Sequence, residues 1–260
     1  MLNSWQNFLL ISASIAIALM FWWLVRKLWP PERRRIHNEI TGWQISVLGT
    51  TYAVILGFML FAVWSDFQDA QRNVEAEASC LANLYWAASG LPAGQREEIR
   101  KLANDYAEAM IKDEWPAMSL GNVTHSGTLI VQQFWEAAEQ SQSLTAAQQV
   151  SLEQTMAEIG SVSEHRRVRQ MESQSHLPPV LWLMLIVGGG ITIMSACLFG
   201  SEYPALHMLQ VIMLALLLSL CLVAIADINL PFRGVVRVEP TGFYNAQHMF
   251  QKFAEAPGKH

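Results

Sequence analysis

Charged residues leave four long gaps in this chain. The first reaches from the N-terminus to Arg26, and the others cover residues 40–65, 177–201 and 203–226. Each holds the roughly 20 apolar residues that a helix needs to cross a ~30 Å hydrocarbon core. The pattern predicts spans over residues 5–25, 43–64, 179–199 and 205–226. A helix packed inside a water-soluble domain would carry a polar stripe, and residues 206–226 have none. The first gap is read as a retained span rather than a cleaved leader. No Lys or Arg precedes it, and Arg26-Lys27 follows it where a small-residue cleavage site would stand.

The segment between the second and third spans, residues 66–176, follows a different rhythm. From Asp66 onward neither Gly nor Pro interrupts, and Phe67, Ala70, Val74, Ala78, Leu81 and Leu84 or Tyr85 recur at helical spacing. The second span is expected to run on as one helix to about Ser89, a rod of about 48 residues and roughly 70 Å at 1.5 Å per residue. Gly90, Pro92 and Gly94 end it, and helices over about 95–115 and 128–142 follow. A last helix starts from a cap on Ser143 or Thr145 and returns to the membrane, where Pro178-Pro179 hand over to the third span. Two long helices that leave and re-enter the bilayer side by side predict an antiparallel stalk with shorter helices laid against it. After Asp227 the chain breaks at Pro231 and Pro240. It then places Phe243, Ala246, Phe250 and Phe253 on one helical face, suited to the membrane surface or to the central domain.

The expected fold class is therefore all-α: an integral membrane protein with four transmembrane helices and a helical extramembrane domain formed by extensions of the second and third spans. The expected divisions are a first hairpin (1–64), an acidic domain (65–177), a second hairpin (178–226) and a tail with a short amphipathic helix (227–260).

Charge refines this. The middle segment holds 16 acidic and 8 basic residues while the rest of the chain is slightly positive, so nucleic acid is excluded as a partner. Arg26, Lys27, Arg33, Arg34 and Arg35 follow the first span and no basic residue precedes it. The positive-inside rule then puts this connection in the cytoplasm and the N-terminus and acidic domain outside. Arg72, Arg166, Arg167, Arg169, Arg233 and Arg237 flank the membrane on the other side and weigh against that orientation. Arg33, Arg34 and Arg35 suit topology setting or contact with anionic lipid heads. Cys80, Cys197 and Cys221 give neither a metal cluster nor a disulfide framework. There is no phosphate-cradling glycine loop, nucleophile elbow or HExxH, and His125, His165 and His176 lack metal spacing. No catalysis, cofactor or metal is expected.

Several constellations remain. Gly49, Ala53 and Gly57, spaced by four, make a ridge of small residues that lets helices approach closely in lipid. Gln44, Ser46, Thr50 and Thr51 in the same span are candidates to line a water-filled path, since polar groups in a span face protein or water. In an oligomer both roles can hold. Gly188, Gly189 and Gly190 suggest a tight helix crossing or a hinge. Arg166, Arg167 and Arg169 either form a ring of positive charge around an assembly axis or pair with Asp66, Asp69, Glu75 or Glu164 on the stalk. Asp227 is either an interfacial residue or an ionisable group needing a partner such as Arg233 or Arg237.

The stretches HNEITGWQISVLGTTYAVILGFMLFAVWSDFQDAQRNVEAEASCLANLY (37–85), LPPVLW (177–182) and DINLPFRGVVRVEPTGF (227–243) together resemble the bacterial bestrophin-like family of four-span membrane proteins. True bestrophins are pentameric anion channels with a hydrophobic neck and a cytoplasmic helical region. The resemblance therefore implies a homo-oligomer, pentameric by analogy, that passes ions, anions first, across the bacterial inner (cytoplasmic) membrane. It also implies a cytoplasmic domain, opposite to the charge reading. No stretch matches a bestrophin neck, so no pore residue carries over. The alternative is a membrane-anchored sensor or scaffold whose helical domain binds a partner.

Overall fold

The computed structural model describes residues 4–140 and 144–254. Those residues form helices and connecting turns, with no strand among them. In chain order the helices are α1 (Ser4–Leu28), α2 (Pro31–Arg35), α3 (Asn38–Ala87), α4 (Ala93–Ala109), α5 (Trp115–Leu120), α6 (Ser126–Glu139), α7 (Ala146–Gln174), α8 (Pro179–Cys197), α9 (Pro204–Ile228) and α10 (Thr241–Ala254). Four are long and apolar enough to cross a membrane: α1, α3, α8 and α9. α3 is a single helix of 50 residues, about 75 Å long at 1.5 Å per residue. It is unbroken because nothing between Asn38 and Ala87 interrupts helix formation except three glycines, each tolerated at about 1 kcal/mol.

The chain divides into two compact units. The membrane unit comprises residues up to Asp66 together with His176–Asn229; the helical domain comprises Phe67–Ser175 and the tail from Leu230.

In the membrane unit α1 lies along α9, and α8 packs against both. Tyr52, Leu56 and Val63 of α3 form a core with Leu185 of α8 and Leu218 and Ile225 of α9. Polar groups inside this unit meet in small separate sets. Trp22 Nε1 donates to His207 Nδ1 at 3.1 Å, which leaves His207 Nε2, 3.1 Å from Ala196 O, to carry the ring's hydrogen. Ser219 donates to Ala215 O at 2.7 Å and lies 2.8 Å from Ser14 Oγ, whose hydroxyl can donate to it, and Asn7 Nδ2 donates to Asp227 Oδ2 at 3.2 Å. Within the membrane unit Asp227 thus has Asn7 as a partner.

In the helical domain α7 runs from a capping box to Gln174. Thr145 Oγ1 accepts from Gln148 N at 3.3 Å and Thr145 N donates to Gln148 Oε1 at 2.9 Å. The alternative cap, Ser143, lies outside the described residues. The expected helix over 95–115 is instead α4 followed by a π turn, Met110–Glu114, and then α5, which carries Pro116 in its first turn. The tail does not stand apart from the domain. Phe243, Ala246 and Phe250 of α10 are buried, with Phe250 stacked on Tyr85 at 4.4 Å and Phe243 edge-on to Trp115 at 5.5 Å.

Candidate pore-lining face and a buried charge network

Within the membrane unit α3 has one covered face and one bare one. Tyr52, Leu56 and Val63 point into the core, while Trp43, Val47, Val54, Phe58 and Phe61 form an exposed apolar stripe. Gln44, Ser46, Thr50 and Thr51 are exposed as well, but not on a single strip. Adjacent residues of a helix are about 100° apart, so Thr50 and Thr51 flank the apolar stripe on opposite sides, with Ser46 beside Thr50 and Gln44 beside Thr51. Ser46 also returns its hydroxyl to Gly42 O at 2.9 Å. The small-residue ridge shows no seam among the described residues: a Cβ added at Gly49 or Gly57 would meet nothing within 4 Å, and Ala53 is exposed.

The close helix crossing is elsewhere. The Tyr52 ring lies over Gly188 and Gly189, where an added Cβ would stand 2.7 Å and 3.0 Å from its atoms, and Tyr52 O–H donates to Leu185 O at 2.8 Å. Gly190 faces open space and is no part of this socket.

In the helical domain the arginine triplet is split by the helix period. Arg167 is exposed, whereas Arg166 and Arg169 are buried. Arg169, fully enclosed, donates Nε to Glu77 Oε2 at 2.7 Å and Nη2 to Glu77 Oε1 at 3.1 Å and Glu114 Oε2 at 2.9 Å. Its remaining surroundings are soft acceptors: Met110 Sδ at 2.9 Å, Met118 Sδ at 3.4 Å, and the Trp115 ring 5.0 Å away. Arg166 Nη2 donates to Glu114 Oε1 at 2.6 Å, and the same oxygen accepts Gly127 N–H at 3.2 Å in the first turn of α6, where the helix dipole favours an anion. Tyr106 O–H donates to Glu77 Oε1 at 2.6 Å.

Two carboxylates and two guanidiniums therefore cancel within one buried cluster, with most lone pairs and protons committed. Burial alone would lower the pKa of Arg169, but the paired Glu77 outweighs it and holds the guanidinium charged well above its ordinary value. Burial, then the Glu77 charge, pushes Tyr106 far up, so it stays a neutral donor. Met110 and Glu114, at the two ends of the π turn, are both buried, as residues four apart on one helix face are.

A family model for the bestrophin-like domain matches residues 12–243. The chain belongs to the bestrophin-like family. Solved structures show the same fold. Two crystal structures of a bacterial bestrophin homologue from Klebsiella pneumoniae, each carrying one substitution, superpose with TM-scores of 0.71 and 0.70 at 11% and 12% identity. Both alignments cover 96% of this chain, and 100% and 99% of the homologue. A further crystal structure, of a substituted membrane protein, aligns over 96% of this chain and 99% of its own at 9% identity and a TM-score of 0.69. No curated protein matches in sequence.

Residues of this bestrophin-like chain that carried the sequence resemblance meet in the membrane unit. Asn38 uses both ends of its amide on Gly200, donating to its oxygen and accepting from its nitrogen at 2.8 Å each. A Cβ at Gly200 would stand 2.7 Å from Arg35 N, so the close approach requires glycine. Arg34 is buried beside it and donates to Cys197 O at 2.8 Å and Phe199 O at 3.3 Å, satisfying the end of α8. Asn229 Oδ1 accepts Leu177 N–H at 2.9 Å, which ties the Leu-Pro entry of α8 to the end of α9.

Sequence reasoning missed Glu77 and Glu114. Glu77 had a signal: Phe67, Ala70, Val74, Glu77, Leu81 and Leu84 alternate three and four apart, a seam pattern with a carboxylate at an inner position. Ile159, Val162, Arg166, Arg169 and Ser173 do the same on α7. Glu114 had a fainter one: Ile99, Ala103, Tyr106, Met110 and Glu114 also recur three and four apart.

Proposed function

We propose that this bestrophin-like chain is an oligomeric ion channel whose pore is walled by the exposed face of α3 in the membrane unit. One observation carries this reading: a span in a bestrophin-like fold that leaves an apolar stripe bare, with hydroxyls and an amide on its flanks and small residues on one side. Copies set around an axis can pack the Gly49, Ala53 and Gly57 ridge against a neighbour. Val54, Phe58 and Phe61 then face the axis as a hydrophobic constriction, which gates by dewetting, with Thr50 and Thr51 at its edges. Arg166 and Arg169, spent on Glu77 and Glu114, are withdrawn from any ring of free positive charge, and Arg167 alone of the triplet is available for one. Anions are the first permeant class to try, and five subunits the first stoichiometry, on the analogy with bestrophins.

The test is reconstitution into planar bilayers together with the mass of the detergent-solubilised particle. A ring-sized particle, single-channel currents, and a several-fold higher conductance for Phe58→Ala or Phe61→Ala are expected. A closed dimer that passes no ions across salts, voltages and pH would instead match a membrane-anchored scaffold.

A further inference from the structure

Near the C-terminal end of α3 the seam with α7 parts around a cavity of about 450 Å³, lined by both helices. Its register follows from two observations. Gly90, just beyond α3, backs onto Ser151 so closely that an added Cβ would collide with the serine hydroxyl, which closes the cavity at one end. Earlier on α3, Asn73 bonds to His165 O and Glu172, later on α7, so the two helices run antiparallel. Two turns back from Gly90 on α3 and two turns on from Ser151 on α7, Asn83 therefore stands across from Glu158, with Trp86 and Gln154 between the two ends. Ala87 offers only a methyl group to this interval and leaves it unfilled.

The polar groups around the space are uncommitted. The side chains of Asn83, Gln154 and Glu158 hold no hydrogen bond or ion pair among the described residues. Glu158 is half-buried and is the one charged residue among those that line the cavity. Trp86 stands nearly perpendicular to Phe253, with ring centroids 4.2 Å apart, and keeps 43% of its surface exposed.

This lining selects by charge. A carboxylate, two amide oxygens and an indole supply acceptors and a π face, and no Lys or Arg is present to hold an anion. The surrounding segment, residues 66–176, carries 16 acidic and 8 basic residues, which concentrates cations near its surface. A metal ion would find a single carboxylate, too few ligands to hold it. An ammonium group has three donors, matching Glu158 and the amide oxygens of Asn83 and Gln154. The volume falls in the range of small-molecule sites, about 300–1,000 Å³.

We propose that this cavity binds a small primary amine with an apolar body, its ammonium on Glu158 and its body against Trp86.

Calorimetric titration of the full chain in detergent tests this with 2-phenylethylammonium as the probe. The comparison ligands are 2-phenylethanol and phenylacetate, which keep the ring and replace the cation by a neutral group or an anion; each titration is corrected by the same one into protein-free detergent. The ammonium should bind with a Kd of about 1 mM or tighter, and both comparison ligands at least roughly tenfold more weakly. Glu158→Gln keeps the shape and should weaken the ammonium about tenfold, and Trp86→Leu roughly threefold. Ala87→Leu grows into the cavity without altering any charge and should abolish binding. Glu164→Gln removes an exposed carboxylate of the same helix outside the cavity and should bind like wild type. No binding of the ammonium, equal binding of all three ligands, or a loss shared by Glu158→Gln and Glu164→Gln would overturn the site. No ion flux enters the measurement, so its outcome is separate from that of the channel reading.

Discussion

In the membrane unit polar side chains make one or two bonds each, many of them to backbone: Tyr52 to Leu185 O, Arg34 to the carbonyls of Cys197 and Phe199, Asn38 to Gly200. In the helical domain Arg169 alone engages two carboxylates, two thioethers and an indole face. The difference follows from the solvent each unit displaces. Lipid offers no hydrophobic reward for bringing helices together, so that unit relies on shape, small residues and isolated hydrogen bonds to carbonyls. Water does reward apolar burial, and the domain's aromatic core of Tyr106, Trp115, Phe134 and Phe243 offsets the cost of dehydrating four charges, provided each finds its partner.

The largest effect should come from breaking that partnership. Arg169→Met leaves Glu77 buried without its counter-charge, and loss of one member of a buried pair costs about 3–5 kcal/mol. Thermal unfolding in detergent, with limited proteolysis to locate the loss in residues 67–175, should show a domain that opens well before the membrane helices. Adding Glu77→Met should recover part of the loss, because an apolar pair of similar volume removes the dehydration cost with the charges. A single variant that melts within about 1 kcal/mol of wild type would mean the network is wet.

Shape is the corresponding weak point of the membrane unit. Gly188→Val drives two methyl groups into the Tyr52 ring, already 2.7 Å from an added Cβ, and overpacking of this kind costs about 1–3 kcal/mol. Gly190→Val, where nothing lies within 4 Å, serves as the control and should melt like wild type. If the two glycines respond alike, the socket is not what holds α3 to α8.

How much of this could be read from the chain differs between the two units for the same reason. The spans are legible because lipid demands an unbroken apolar run, and the length of α3 is legible because nothing in residues 38–87 stops a helix. The stalk was legible from period, with Thr145 one of two candidate caps for α7. The roles inside the spans were not. Four polar residues in one span read as one face until the turn of the helix separates Thr50 from Thr51, and three glycines in a row read alike until Tyr52 chooses two of them. Arg166 and Arg169 were visible as a cluster, but their partners Glu77 and Glu114 lie 37 residues apart in sequence, and nothing in either local pattern pairs them.

The smallest effect is the most telling about the membrane unit. Tyr52→Phe removes the hydroxyl that donates to Leu185 O yet keeps the ring seated on Gly188 and Gly189. Leu185 lies inside α8, so its carbonyl still accepts the helix's own N–H and is not orphaned. The loss should then be that of one net hydrogen bond, about 1 kcal/mol. Tyr52→Ala empties the socket and should cost roughly 3–5 kcal/mol by analogy with other aromatic truncations. Thermal melts of the two variants in the same detergent separate bond from shape. Should Tyr52→Phe fall as far as Tyr52→Ala, the hydroxyl would be the stronger element, and the contrast between a lipid-facing unit held by fit and a domain held by charge would have to be given up.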